Sequence, residues 1–220
     1  MNKNHTLIIL TIVCLLGLLS CGVAAAATDF TYDLSDGDLL INVTGQDTMT
    51  INNNKKSYSI SDTSIIVYSS GQTKNVIYIN GNNRTNVNTI NLALSGVDIK
   101  SGDYYSSKKA YKYNPISIVN KAQVNLEIKE NTINSLEATD YYAALRVVSG
   151  TKLTINGTGT LNVKGGALAA GIGGNAGLDG KSGESTGAIV IDDGTFNVIA
   201  ANAGVGIGGG AGSLGSFSNN

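Results

Sequence analysis

Few residues in this 220-residue chain could carry chemistry, and their placement narrows the choice further. The single His, His5, and both Cys, Cys14 and Cys21, fall within the first 27 residues, which read as a leader. The remaining chain has no imidazole for a Ser-His-Asp or Cys-His mechanism, no His-ligated metal and no Cys pair for a disulfide. Arg84 and Arg146 are the only arginines, and the acids are scattered, with Asp29, Asp33, Asp36 and Asp38 close together near the start. A glycoside hydrolase needs two carboxylates about 5–9.5 Å apart across a sugar. A lyase commonly joins acidic calcium ligands to a basic Arg or Lys. Neither set gathers in the sequence. Asp192-Asp193-Gly194 and the stretch from Gly173 to Asp179 could offer carboxylates to a hard cation. Such an ion wants roughly six to eight oxygens, however, and Asp beside Gly is ordinary turn chemistry. The expectation is no catalytic residue, no metal and no cofactor.

Two further patterns invite a ligand. Gly171-Ile172-Gly173-Gly174 and Gly204-Val205-Gly206-Ile207-Gly208 look like phosphate loops at first sight. A phosphate loop must open a helix, whereas Asn, Gly and Ser come next here, so these are read as chain corners. Residues 103–115 break the strand rhythm with four Tyr and three Lys. Aromatic rings with hydrogen-bonding tips suit sugars and protein partners alike, which makes Tyr104, Tyr105, Tyr111 and Tyr113 the candidate ligand-binding residues. The plainer reading is an insertion whose rings pack over the edge of the fold. Past the leader, three sequons, at Asn42, Asn83 and Asn156, permit N-glycosylation where the machinery exists. Charge excludes another class: 15 Lys and Arg against 16 Asp and Glu give a net charge of −1, without the basic footprint nucleic acid requires.

The leader has Lys3 ahead of an apolar run over residues 7–19, then Ser20, Gly22 and four Ala. This is the pattern of a signal peptide, expected as a helix over residues 1–27 and too short in its apolar run for a comfortable bilayer span. Cleavage after Ala25-Ala26-Ala27 would start the mature chain at Thr28. Alternatively, Leu18-Leu19-Ser20-Cys21 resembles a lipobox, and Cys21 would carry the lipid. Secretion or cell-surface display is expected, with membrane contact only through the leader or such an anchor.

The elements that must position these residues are short strands. Runs such as Ile65-Ile66-Val67-Tyr68, Ile90-Asn91-Leu92-Ala93-Leu94 and Val124-Asn125-Leu126-Glu127-Ile128 alternate with period 2 between Asn, Gly, Asp and Ser. With charged residues at only 14%, abundant Gly and no sustained 3.6-residue period, the chain reads as all-β. Thr160-Leu161-Asn162-Val163 returns 35 residues later as Thr195-Phe196-Asn197-Val198, and Gly171-Ile172-Gly173-Gly174 as Gly206-Ile207-Gly208-Gly209. A one-residue adjustment sets Leu153 and Ile155 against Ile189 and Ile191. A fainter echo, 27 residues earlier, sets Leu126 and Ile128 against Leu153 and Ile155. Fixed spacing with drifting sequence marks stacked units. The expected architecture is a right-handed single-stranded parallel β-helix, with Leu153, Ile155, Leu161 and Val163 in an apolar column; an antiparallel β-sandwich is the rival. The divisions are a signal peptide over 1–27, more varied coils over 28–149 with the Tyr-rich insertion, and Gly-rich coils over 150–220. The last of these is expected to be truncated, because the corner at Gly206 elsewhere leads into another strand. Its final coil should then be open, covered by further coils or by a partner.

The phrase from Ala143-Ala144-Leu145 through Leu153-Thr154-Ile155-Asn156-Gly157-Thr158-Gly159-Thr160-Leu161-Asn162-Val163 to Gly171-Ile172-Gly173-Gly174 resembles exported adhesin-like and carbohydrate-binding-domain-containing proteins of gut bacteria and archaea. Ala188-Ile189-Val190-Ile191-Asp192-Asp193-Gly194-Thr195-Phe196 is similar to that family's second phrase. The resemblance implies a β-helical, non-catalytic surface module with a glycan or a cell-surface protein as partner. A purely structural spacer and a polysaccharide lyase or hydrolase are the alternatives.

Overall fold

The computed structural model describes residues 28–101, 113–178 and 180–212. The leader with Cys21, the Tyr residues 104, 105 and 111, and Asp179 lie outside the described residues. About half of the described chain is strand, with a 3-10 turn at Leu34–Asp36 and the rest in turns and connections.

Three sheets contain every strand among the described residues. Sheet I stacks β1 (Thr28–Asp33), β5 (Thr63–Tyr68), β8 (Ile90–Leu94), β11 (Gln123–Ile128), β14 (Lys152–Asn156) and β17 (Ala188–Ile191), each parallel to the next. Sheet II stacks β6 (Gln72–Thr73), β9 (Asp98–Lys100), β12 (Ile133–Glu137), β15 (Thr160–Ala167) and β18 (Thr195–Ala201) in the same way. Sheet III stacks β2 (Leu39–Val43), β7 (Ile77–Asn80), β10 (Ile116–Val119), β13 (Leu145–Val147), β16 (Ile172–Gly173) and β19 (Ile207–Gly208). From β5 to β19 the chain visits sheets I, II and III in unbroken rotation. Antiparallel pairing among the named strands is confined to β3 (Thr48–Ile51) and β4 (Ser57–Ser59), added to β2. A β-sandwich of antiparallel sheets is therefore excluded.

Alternation along each strand explains the core. Inward residues meet their equivalents one circuit away, so Ile65, Leu92, Leu126, Ile155 and Ile191 form one column in sheet I. Leu39, Ile77, Ile116, Leu145, Ile172 and Ile207 form another in sheet III. Leu153, Ile155, Leu161 and Val163 are all buried. The 35-residue repeat is the lateral register itself: Thr160 pairs with Thr195, Asn162 with Asn197 and Ile172 with Ile207. The 27-residue echo is corrected, since Val124 lies opposite Leu153 and Leu126 opposite Ile155. Sliding a period-2 strand by two residues keeps every side chain on its own face, so the sequence pattern alone does not separate the two registers.

Asn134 is a polar residue at an inward position of sheet II, opposite Leu161. It is fully buried, yet its Oδ1 accepts from the Gly96 and Val97 N–H groups at 2.9 and 3.0 Å, and its Nδ2 donates to Thr132 Oγ1 at 3.0 Å. With its hydrogen bonds made, the buried amide fixes the turn into β9 at little cost. Gly173 shows why some corners must be glycine. Its φ is +139°, and a Cβ there would collide with the Gly208 carbonyl oxygen in the neighbouring strand β19.

The two ends differ. At the start, the β3–β4 hairpin buries Met49 and Ile51, Phe30 meets the Tyr58 ring edge-on at 5.5 Å, and Lys56 Nζ stands 4.9 Å from that ring's centre. At the other end, Ile191 and Ile207 occupy inward positions but remain 40% and 48% exposed.

Candidate ligand-binding site

The site is built on the outer face of sheet III. Register places Tyr78 of β7, Ser117 of β10, Arg146 of β13 and Gly173 of β16 in one outward row, between the buried rows through Ile77 and Ile79. Gly173 leaves no side chain above Arg146, and the segment after β16 folds back over the sheet. Ser149 N–H donates to the Ser185 carbonyl at 3.1 Å, Gly187 N–H to the Val147 carbonyl at 2.9 Å, and Val148 bridges Thr186 antiparallel. This delivers Glu184 to Arg146. Arg146 Nε donates to Glu184 Oε2 at 2.8 Å and Nη2 to Oε1 at 2.5 Å, while Asn175 N–H donates to Oε2 at 3.1 Å.

The result is an open cleft of about 480 Å³, walled by Tyr78, Val119, Asn120, Arg146, Ser149 and Glu184. Asn120 is set by a ladder of amides: its Nδ2 donates to Asn80 Oδ1 at 2.9 Å, and Asn80 Nδ2 donates to Asn42 Oδ1 at 3.3 Å. Within the row, the Ser117 hydroxyl is fully buried and finds no hydrogen-bond partner among the described residues.

Electrostatically the cleft is balanced. Its one carboxylate is paired two-pronged with its one guanidinium, and both side chains are partly exposed at 34% and 22%. Planar pairing of this kind fixes donors and acceptors in direction as well as charge. The carboxyls with displaced pKa values are elsewhere, and all move downward. Asp47 falls to about 2 because the Asn88 amide and the Ser61 N–H bond its ionised form. Asp33 is lowered by the Ser35 N–H and the Ser70 hydroxyl. Partial burial works against ionisation of Glu137, but Lys164 and Lys100 on either side more than offset it.

Of the candidate tyrosines, Tyr113 lies at the foot of the insertion. Its ring packs 4.6 Å from that of Tyr142 and its carbonyl accepts from Ser101 Oγ at 2.7 Å, while Tyr104, Tyr105 and Tyr111 lie outside the described residues. Asp193 bonds its own turn, accepting from Gly194 N–H at 2.8 Å. Among the described residues no three His, Cys, Asp or Glu gather as a metal cluster. Sequence reasoning missed Tyr78 and the pairing of Arg146 with Glu184. No repeat spacing signals the pairing, because Arg146 stands opposite Gly173 and Glu184 reaches it only through the segment that folds back after β16.

Comparison with known proteins gives no match. No family model fits the chain, and neither a curated protein nor a solved structure matches it.

Proposed function

We propose that this chain is a right-handed, single-stranded parallel β-helix, exported to the cell surface or secreted, that binds a glycan without turning it over. The unbroken rotation through three parallel sheets supports the architecture, and parallel crossovers are right-handed in about 98% of cases. The leader-like first 27 residues support export, as does the resemblance to adhesin-like surface proteins. Among the described residues no helix is long and apolar enough to cross a membrane.

The observation that carries the binding reading is the Arg146–Glu184 pair beside Tyr78. A neutral polyol needs donors and acceptors held in fixed directions, together with an aromatic surface for its apolar face. The pair provides both kinds of group while its charges cancel. A strongly charged ligand would have to break it. A hydrolase reading is disfavoured because the cleft holds one carboxylate, whereas glycoside hydrolysis commonly uses two.

The test is a glycan array run with residues 28–220 alongside a reducing-sugar release assay. Retention without release is expected, and Tyr78→Ala or Arg146→Ala should weaken retention tenfold or more. Silence on the array would favour a structural spacer, and sugar release would make it an enzyme. Replacing Tyr104, Tyr105 and Tyr111 together by Ala separates the two candidate surfaces. Retention survives if the cleft binds and is lost if the insertion does.

A further inference from the structure

The three sequons past the leader are equivalent in sequence but not in the fold. Asn42 sits inside sheet III, in register with Asn80 on one side and Thr50 on the other. Its Nδ2 donates to Asn53 Oδ1 at 3.4 Å, its Oδ1 accepts from Asn80, and the hydroxyl of Thr44, two residues on, bonds Thr48 Oγ1 at 3.1 Å. Asn156 closes β14, with its Nδ2 donating to Asn125 Oδ1 at 3.0 Å. The next residue, Gly157, has φ +96° and is pressed against the Ile128 backbone.

Asn83 is different. It stands in the connection between β7 and β8, where Asn82, Asn83, Arg84 and Thr85 are all exposed. Asn82 and Asn83 both hold φ 55°, a left-handed turn that Asn tolerates better than most residues. The turn is pinned by its backbone and by Asn82, whose N–H donates to Asn80 Oδ1 at 2.9 Å and whose Nδ2 donates to the Val43 carbonyl at 3.5 Å. Asn83 N–H donates to the Asn120 carbonyl at 2.9 Å and Arg84 N–H to the Gly81 carbonyl at 3.1 Å. The Asn83 side-chain amide makes no hydrogen bond to a described residue, and buried Val87 anchors the exit.

We infer that Asn83 is the N-glycosylation acceptor of the folded chain, and that Asn42 and Asn156 are not. The co-reactant is a lipid-diphosphate-linked oligosaccharide presented by a membrane transferase. Asn83 Nδ2 forms the new bond to C1 of the first sugar while the C1–O bond to the diphosphate breaks. The diphosphate leaves with the electron pair, and one amide proton passes to a base on the transferase. An amide already donating into a ladder must give up that bond to take this path, whereas the Asn83 amide gives up none. Because Asn83 abuts Asn120, the glycan would rise at the rim of the cleft. The inference rests on the export reading for its biological setting.

The experiment uses purified folded chain, a single-subunit oligosaccharyltransferase and a lipid-linked oligosaccharide, read by peptide mass. Short peptides spanning each sequon supply the unfolded comparison. The folded chain is expected to gain glycan at Asn83 at least tenfold faster than at Asn42 or Asn156, and Asn83→Gln should abolish that gain. The peptides should differ far less. Modification of Asn42 or Asn156 as fast as Asn83 in the folded chain overturns the inference, and so does an unmodified Asn83. The assay needs no secretion, so a chain found in the cytosol would sink the export reading and leave this result intact.

Discussion

At the scale of single residues, the outward row of sheet III combines a paired charge with a wasted hydroxyl. Arg146 and Glu184 satisfy one another, but Ser117 between Tyr78 and Arg146 has its Oγ buried without a partner among the described residues. A buried hydroxyl that makes no hydrogen bond costs about 1–3 kcal/mol. Ser117→Ala is therefore expected to raise stability by about 1 kcal/mol, seen as a higher denaturant midpoint with an unchanged slope. A drop of similar size would show that the hydroxyl is bonded in solution. The same row shows how much of the site was legible. Arg146 stands out as a lone cation within an apolar strand, but Glu184 does not, because the segment that folds back after β16 follows no repeat. Tyr78 gave no such signal, because an outward Tyr alternating with Ile is ordinary strand composition.

At the scale of elements, the start of the fold hangs on one carboxylate. Asp47 lies in the β2–β3 turn, where it accepts from Ser61 N–H at 2.8 Å, Ser59 Oγ at 2.9 Å and Asn88 Nδ2 at 2.7 Å. It thus ties the hairpin to the entries of β5 and β8. Its folded pKa, about 2, lies below the ordinary 3.8, so the stability it confers is complete above pH 3.8 and is lost as pH falls toward 2. Asp33 and Glu137 are displaced in the same direction and add to the acid loss. Melting temperature followed from pH 5 to pH 2 should fall for the native chain, and Asp47→Asn should flatten part of that slope. An identical slope in the variant would show that the tie is not made. The parallel strands themselves were readable, because period 2 and a 35-residue copy dictate stacking. The antiparallel β3–β4 hairpin was not. Its strands alternate like all the others, and only the partner each finds distinguishes a closing hairpin from another circuit.

At the scale of the whole molecule, burial is uneven along the stack. Val190, Ile199 and Val205 join Ile191 and Ile207 among the exposed apolar residues, all in β17, β18, β19 or their connections, while β11 and β14 have paired strands on both sides. Amide exchange should accordingly be fastest in β17–β19 and slowest in β11 and β14. Uniform protection across both groups would mean that the last circuit is covered in solution. The rotation through three sheets also sets how far the chain can reach. The return to a sheet takes from 26 residues, between Gln72 and Asp98, to 39, between Ile77 and Ile116. Each circuit nonetheless advances the stack by one strand spacing, so the six strands of sheet I rise only about 24 Å. Lengthening a connection widens the girth and leaves that height unchanged. As a stalk this is a poor use of chain, and as a broad wall from which side chains and loops are held at fixed levels it is a good one.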